Sequence, residues 1–337
     1  MRDLVVMMND EPVEGWTLPP KLLGEALARA GVRPLHRQRT PLSRKLARAF
    51  VRTPLFRPNL FRPSLFRPFG TPKSSGGVIA PMCWGFDSFA FPDAMWRTLI
   101  PWGFDCWGPE FPRWEATLRK HKVPLAFFSA RDAANHFARA IPGIEAVWLP
   151  EACDARLFSP QKPLAERSIK VLELGRKLER VHEKIREPLR ERGMKHVYSL
   201  DGANTVLFAG VDALYKGLGD TALALCFPKS VTHPDKAGGV ETMTQRYLEF
   251  IGSGTLAIGS SPREIVDLFG FDPVIALDER DPAAQILAIL DDLPKWQAHA
   301  DRARARFLEV GTFDTRAKAM LGHLAQRGYD TPTMTTP

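Results

Sequence analysis

Phe227-Pro-Lys-Ser-Val-Thr-His-Pro-Asp-Lys-Ala-Gly-Gly-Val-Glu-Thr-Met-Thr-Gln-Arg-Tyr-Leu-Glu-Phe-Ile-Gly-Ser-Gly254 is the stretch on which the reading of this chain turns. The apolar run that enters it, Leu223–Phe227, predicts a strand that stops at Pro228. A loop with paired glycines, Gly238-Gly239, follows and leads into a helix over Glu241–Ile251. Thr242 with Gln245 three residues on matches a capping box, which sets the expected helix start. Met243, Tyr247, Phe250 and Ile251 recur at i, i+4, i+7 and i+8 and form the expected buried stripe. Arg246 and Glu249, three apart on another face, are placed to act together.

The same stretch carries chemistry. Glu241 and Glu249 have seven residues between them, about 12 Å along a continuous helix. That is too far to share one small ion, but suited to bracketing an elongated ligand. Glycines let the backbone come close, and a helix N-terminus attracts phosphate. Lys229 and Arg246 add charge-assisted contacts to a diphosphate. A carboxylate such as Glu249 can accept both hydroxyl hydrogens of a ribose. His233, in the same loop, is placed for a phosphate or sugar contact. Strand, loop, glycines, cations and acids together describe a nucleotide-sugar site. The competing reading is a chance pair of glutamates on an ordinary loop and helix.

Outward from this stretch, strand and helix patterns alternate. Upstream, the start MRDLVVMMND reads as a first strand and not as a secretory leader. Val78–Met82, Pro124–Ser129 and Ala146–Leu149 read as strands, Phe111–Lys120 and Arg131–Ala140 as helices. A proline-bounded stretch, Leu149–Pro160, reads as a joint between domains. Beyond it, strands are expected at Ile169–Leu174, Lys195–Ser199, Thr255–Ile258 and Val274–Leu277. Helices are expected at Arg180–Arg192, Val206–Leu218, Pro262–Phe269, 282–292, 294–309 and Thr312–Arg327. Such alternation predicts parallel sheets covered by helices, with ligands at the carboxyl ends of the strands.

The 337 residues are 45% hydrophobic and include 21 Phe and 8 Trp, enough apolar area to exclude whole-chain disorder. No run is long enough for a spanning helix. Cys83, Cys106, Cys153 and Cys226 lie far apart with no CxxC pair, which argues against a zinc site or disulfide framework and fits a reducing, cytoplasmic setting. The net charge of +8 is concentrated: ten cations fall between Arg37 and Lys73, and no Asp or Glu occurs from 26 to 86. That segment holds a tandem repeat, Leu55-Phe-Arg-Pro, Leu60-Phe-Arg-Pro and Leu65-Phe-Arg-Pro, whose prolines block a helix. Ser43–Arg52 before it reads as a short cationic amphipathic helix. The segment fits a ligand-free surface loop, an anionic membrane surface at the inner face, or phosphate-rich nucleic acid. The slightly acidic remainder and the lack of a base-reading pattern weigh against nucleic acid.

The Glu241-x7-Glu249 pattern, followed by Gly252-Ser-Gly-Thr-Leu256, resembles the C-terminal donor motif of GT-B glycosyltransferases of the group 1 type. Trp148–Pro160 is similar to the joint that precedes that family's second domain, and Val171-Leu-Glu-Leu-Gly-Arg176 looks like its strand and turn. Ser260–Gly270 and Gly311–Arg316 occupy the places of two further family segments. The resemblance covers roughly residues 145–325. It implies two Rossmann-like domains with parallel sheets facing across a cleft. The first, 1–152, is the acceptor side with the basic insertion at about 37–75; the second, 153–311, binds the donor. Residues 312–337 form a C-terminal helix and tail packing back toward the first domain.

The activity so implied is metal-independent, retaining transfer from a nucleoside-diphosphate sugar to a glycan, lipid-linked or protein acceptor, without a cofactor. Glu249 would hold the ribose and Glu241 the donor sugar hydroxyls. Arg176 with Lys229 or Arg246 would neutralise the diphosphate, with Gly238, Gly239, His233 and Thr244 completing the donor contacts. Lys177, Arg180 and Lys184 stand where the family places a further lysine. On the acceptor side, Asp105 or Glu110 is placed to orient or deprotonate a hydroxyl. Nearby tryptophans would stack on sugar faces or fill the core. His182, on a helix, reads as a surface or capping residue. A nucleotide-sugar epimerase, and a catalytically degenerate binding or scaffold protein, are the alternatives.

Overall fold

Leu4–Met8 (β1) is a run of five apolar residues, all buried, as a strand covered on both faces requires. It is the first strand of a computed structural model that describes residues 3–8, 18–36, 45, 49, 76–82, 93–95, 97–158, 162–199 and 206–332. The basic segment 37–73, with its repeat, lies outside the described residues apart from positions 45 and 49. The chain divides into two compact units, Met1–Glu151 with Phe313–Pro337, and Ala152–Thr312.

In the first unit β1 is followed by Arg33–His36 (β2), Gly77–Met82 (β3), Thr98–Gly103 (β4), Leu125–Phe128 (β5) and Glu145–Trp148 (β6). All pair in parallel, in the order β2-β1-β3-β4-β5-β6. The helices Phe111–Lys120 and Arg131–Ala140 fall where the periodicity places them. Trp102, Trp107 and Trp114 are buried, and the Trp102 indole donates to Leu149 O at 2.9 Å. These three rings belong to the core, the second of the two roles that the sequence offers them. The helix Phe313–Gln326 belongs to this unit too. Arg29 donates to Asp314 Oδ1 at 2.7 Å, and the buried Arg316 guanidinium donates to Pro150 O at 2.9 Å and Glu151 O at 3.3 Å.

The second unit holds Ile169–Glu173 (β7), His196–Tyr198 (β8), Thr221–Cys226 (β9), Leu256–Gly259 (β10) and Val274–Ala276 (β11). These are also all parallel, in the order β11-β10-β9-β7-β8. Successive side chains go to opposite faces. Val171, Leu223, Leu225, Leu256 and Ile258 pack with the helices Glu179–Glu191 and Pro282–Asp291. Leu172, Ala224, Cys226 and Ala257 pack with Gln245–Gly252 and Leu293–Val310.

At the N-terminal ends of the strands, Arg167 is buried and donates to Thr221 O at 2.9 Å and Lys162 O at 3.0 Å. Desolvation pushes its guanidinium down to about 10. Carbonyls surround that cation, so it is part of the scaffold. Among the described residues, no helix is long and apolar enough to cross a membrane.

Candidate functional site

The chain runs from β7 outward to β8 and then back across to β9, so the strand order reverses between β7 and β9. In an open parallel sheet, the crevice outside the carboxyl ends at such a reversal is where ligands bind. Gly175-Arg176 follows β7 at this point, and Phe227-Pro228-Lys229 follows β9. Gly175 adopts φ 91°, a left-handed conformation that glycine reaches without a Cβ penalty. A Cβ built there would lie 4.0 Å from Arg246 Nε.

Three of the expected cationic residues, Arg176, Lys229 and Arg246, thus gather with His233 at the ends of β7 and β9. Arg176 is exposed, while Lys229, His233 and Arg246 are half-buried. Desolvation, then Lys236, Arg176 and Lys229, hold the His233 imidazole below its ordinary value. Burial pushes the Cys226 thiol up, against the opposing pull of Arg246 and Arg176. The groups that sense Arg176 therefore include both the His233 loop and the end of β9. Beside them Glu249 is buried, and its Oε2 accepts from Arg246 Nη1, as the spacing of three residues predicts. Tyr247, fully buried, donates from its hydroxyl to Ser260 O at 2.7 Å and joins this helix to the end of β10.

The helix begins later than the sequence predicts. It spans Gln245–Gly252, with Thr244 as an N-cap in extended conformation and no side-chain cap bond. The expected Thr242–Gln245 box does not form; the Thr242 hydroxyl is turned to the buried Glu264 instead. Thr242 Oγ1 donates to Glu264 Oε2 at 2.8 Å and Met243 N donates to the same oxygen at 3.1 Å. The stripe of Met243, Tyr247, Phe250 and Ile251 is buried as predicted.

Glu241 consequently lies off the helix, and the helical spacing of about 12 Å to Glu249 does not apply. It is exposed, and its Oε1 accepts from Arg263 N at 3.1 Å, at the start of the helix Arg263–Phe269. Gly238 ends the turn Pro234–Ala237 in left-handed conformation at φ 59°, and Gly239 follows at φ 79° with open space around it.

Of the residues standing where a further lysine is expected, two are engaged elsewhere. Arg180 pairs with Glu279 at 2.7 Å, and Lys184 Nζ donates to Glu279 O at 2.7 Å. Lys177 pairs with Glu179 at 3.6 Å. His182 is buried rather than on the surface, held against Glu173 at 2.6 Å. In the first unit, Asp105 follows β4 at φ 53°, and its Oδ1 accepts from the Trp107 indole at 3.2 Å. Glu110 is half-buried and pairs with Arg113 at 3.8 Å.

No protein-family model matches the chain, and no curated protein matches it in sequence. Solved structures do match. The sucrose-phosphate synthase of Thermosynechococcus elongatus superposes at a TM-score of 0.59 with 13% identity, covering 97% of this chain and 99% of that one. HepE of Anabaena, in complex with UDP and glucose, superposes at 0.58 with 10% identity, covering 97% and 100%. The α,α-trehalose 6-phosphate synthase of Burkholderia multivorans superposes at 0.57 with 9% identity, covering 97% and 99%.

The fold is GT-B. Two parallel Rossmann-like sheets of six and five strands, in two units, match that architecture. At these identities the likeness is one of fold, and function rests on the site. In GT-B terms the cluster of Arg176, Lys229, His233, Arg246 and Glu249 stands at the switch point of the C-terminal Rossmann-like unit.

Proposed function

We propose that this chain is a glycosyltransferase that moves a sugar from a nucleoside-diphosphate sugar to an acceptor. The observation that carries the reading is the cation cluster at the β7/β9 reversal, with a buried, Arg-paired carboxylate beside it. When the glycosidic bond breaks, negative charge grows on the leaving diphosphate. Arg176, Lys229 and Arg246 are the groups that meet it, and such fixed charges stabilise the transition state without reorganising. Glu249 accepts from the ribose hydroxyls, its orientation fixed by Arg246. Glu241, tethered at Arg263 N, receives donor sugar hydroxyls, with Gly238, Gly239 and Thr244 shaping the loop. Asp105 in the first unit serves the acceptor hydroxyl. The side-chain cations supply the charge that a metal supplies elsewhere, and transfer proceeds with retention.

HepE, which shares the fold, is solved with UDP and with UDP-glucose, which makes uridine the first base to test. The deciding experiment is a thermal-shift screen against UDP, GDP, ADP, CMP and dTDP. It is followed by donor turnover with and without a panel of glycan and lipid-linked acceptors. Stabilisation by one diphosphate and acceptor-dependent turnover support the reading. Turnover of donor alone into an epimeric sugar indicates an epimerase instead, and stabilisation with no turnover of any donor indicates a binding protein.

Arg176→Ala tests the charge. Hydrogen bonds to charged groups contribute about 1.5–3 kcal/mol, so UDP binding weakens roughly 10- to 100-fold while the apo melting temperature stays put, Arg176 being exposed. Unchanged affinity by calorimetry removes Arg176 from the site. His233 gives a second readout. Desolvation and three cations hold its pKa down, and a bound diphosphate offsets those cations. Its NMR titration midpoint therefore lies below about 6.5 in the apo protein and rises when UDP is added. A midpoint indifferent to UDP places the diphosphate elsewhere.

A further inference from the structure

Away from the cation cluster, three side chains from three elements of the second unit converge on one point. Glu173 ends β7, His182 lies in the first turn of the helix Glu179–Glu191, and His196 opens β8. Parallel pairing sets the register, with Val171 opposite His196 and Glu173 opposite Tyr198. Glu173 Oε1 lies 2.6 Å from His182 Nδ1 and 2.8 Å from His196 Nε2. The three ligand-type atoms all fall within 4.8 Å of one another. The side chains are 2%, 5% and 6% exposed, respectively. Tyr198 walls the group, its ring centroid 4.6 Å from His182 and 4.7 Å from His196.

This arrangement leaves polar atoms unsatisfied. Among the described residues, Glu173 Oε2 is buried without a hydrogen-bond partner, and so is His196 Nδ1. Among the described residues, the ion-pair partners of the Glu173 carboxylate are the two imidazoles and no Lys or Arg. A buried carboxylate oxygen left without a partner is costly. A cation held between the three groups offsets that cost. Two imidazole nitrogens and a carboxylate oxygen are the donor set that suits zinc and its neighbours.

We infer that Glu173, His182 and His196 form a binding site for one divalent ion of the zinc type. Around zinc with bonds of about 2.0–2.1 Å, tetrahedral ligand atoms sit about 3.3 Å apart. The observed oxygen–nitrogen separations of 2.6 and 2.8 Å therefore open by about 0.5–0.7 Å to admit it. Three protein ligands leave a fourth position, which Glu173 Oε2 or a water takes. The ion joins the edge strand β8 to β7 and to the helix after the Gly175-Arg176 turn. Its role is to hold that turn, not to take part in transfer, and the inference does not depend on the glycosyltransferase reading.

The full chain, dialysed against EDTA and then against buffer, is titrated with zinc chloride and separately with cobalt chloride. One equivalent of zinc per chain is expected. At 100 times its dissociation constant it raises the melting temperature by about 5–10 °C, and cobalt gives the visible bands of a tetrahedral complex. Glu173→Gln, nearly isosteric, and His196→Gln each weaken binding at least 10-fold. His136→Gln leaves it unchanged, although His136 makes a comparable pair with Glu115 at 2.8 Å in the other unit. Substoichiometric zinc in the wild type, or full binding by both site variants, overturns the proposal. Should the variants fail to fold, the wild-type cobalt spectrum decides, and a purely octahedral aquo spectrum counts against the site. UDP stabilisation measured in EDTA reports separately on the donor reading.

Discussion

On the proposed donor reading, Glu249→Gln is expected to remove most of the stabilisation that UDP gives the wild-type chain. The carboxylate is buried and its Oε2 is held by Arg246, so its position is fixed before ligand arrives. A carboxylate that accepts ribose hydroxyls makes charge-assisted bonds of about 1.5–3 kcal/mol each. Two such bonds weakened together lower UDP affinity by roughly 100-fold. At UDP concentrations that saturate the wild type only a few-fold, the melting shift then disappears. Glutamine keeps the volume, so the apo protein loses little to cavity formation. It does leave Arg246 without its charged partner, and because Arg246 is 32% exposed, solvent moderates that loss. Glu249→Ala removes the residual amide acceptor as well and abolishes the shift. A Glu249→Gln protein with the full wild-type UDP shift sinks the ribose role.

The second large effect is on stability. Gly259 ends β10 opposite Cys226 of β9. Its φ is 151°, and a Cβ there would stand 1.9 Å from Cys226 O and 2.8 Å from Cys226 C. Backbone on a central strand cannot step aside as a flexible side chain can. Gly259→Ala must part β10 from β9 at the end that carries Ser260 and its bond to Tyr247. Overpacking costs about 1–3 kcal/mol and a disfavoured backbone region a similar amount. A loss of about 3–5 kcal/mol, or roughly 10 °C in melting temperature, is expected. Gly239→Ala is the control. It also sits at positive φ, 79°, but a Cβ meets nothing within 4 Å, so its cost is only the left-handed strain of about 1–2 kcal/mol. Equal melting temperatures for the two variants contradict the steric account.

Much of this architecture was legible because local pattern and tertiary packing agree. Phe111–Lys120 and Arg131–Ala140 carry their apolar stripes plainly, and the strands of the second unit are short apolar runs between turn residues. Where prolines intervene, the pattern is hidden. Thr98–Gly103 contains Pro101, and Leu18–Arg29 opens with Pro19 and Pro20, so neither element was expected. Yet Pro in a first turn costs little, since those N–H groups lack helical partners anyway.

The misplaced helix start has a different cause. Thr242 and Gln245 satisfy the local rule, but the Thr242 hydroxyl is turned to Glu264, 22 residues on in the chain. His182 was misread for the same reason. Its helix is amphipathic, but its partners Glu173 and His196 come from strands whose pairing no local window contains. A clue was present in the sequence: a Glu closes the apolar run of β7 and a His opens β8, each a costly choice at a buried position unless something there requires it.

The helix Phe313–Gln326 belongs to the unit that Leu4–Met8 begins, with Arg316 bonded to the carbonyls of Pro150 and Glu151. A ribosome delivers these parts far apart in time. The portion Ala152–Thr312 emerges with all its strands contiguous, whereas the first unit gains the helix Phe313–Gln326 only after the whole of the second unit has been made. Translation arrested before residue 313 would therefore leave the first unit without the helix that bonds Arg29 and the carbonyls of Pro150 and Glu151.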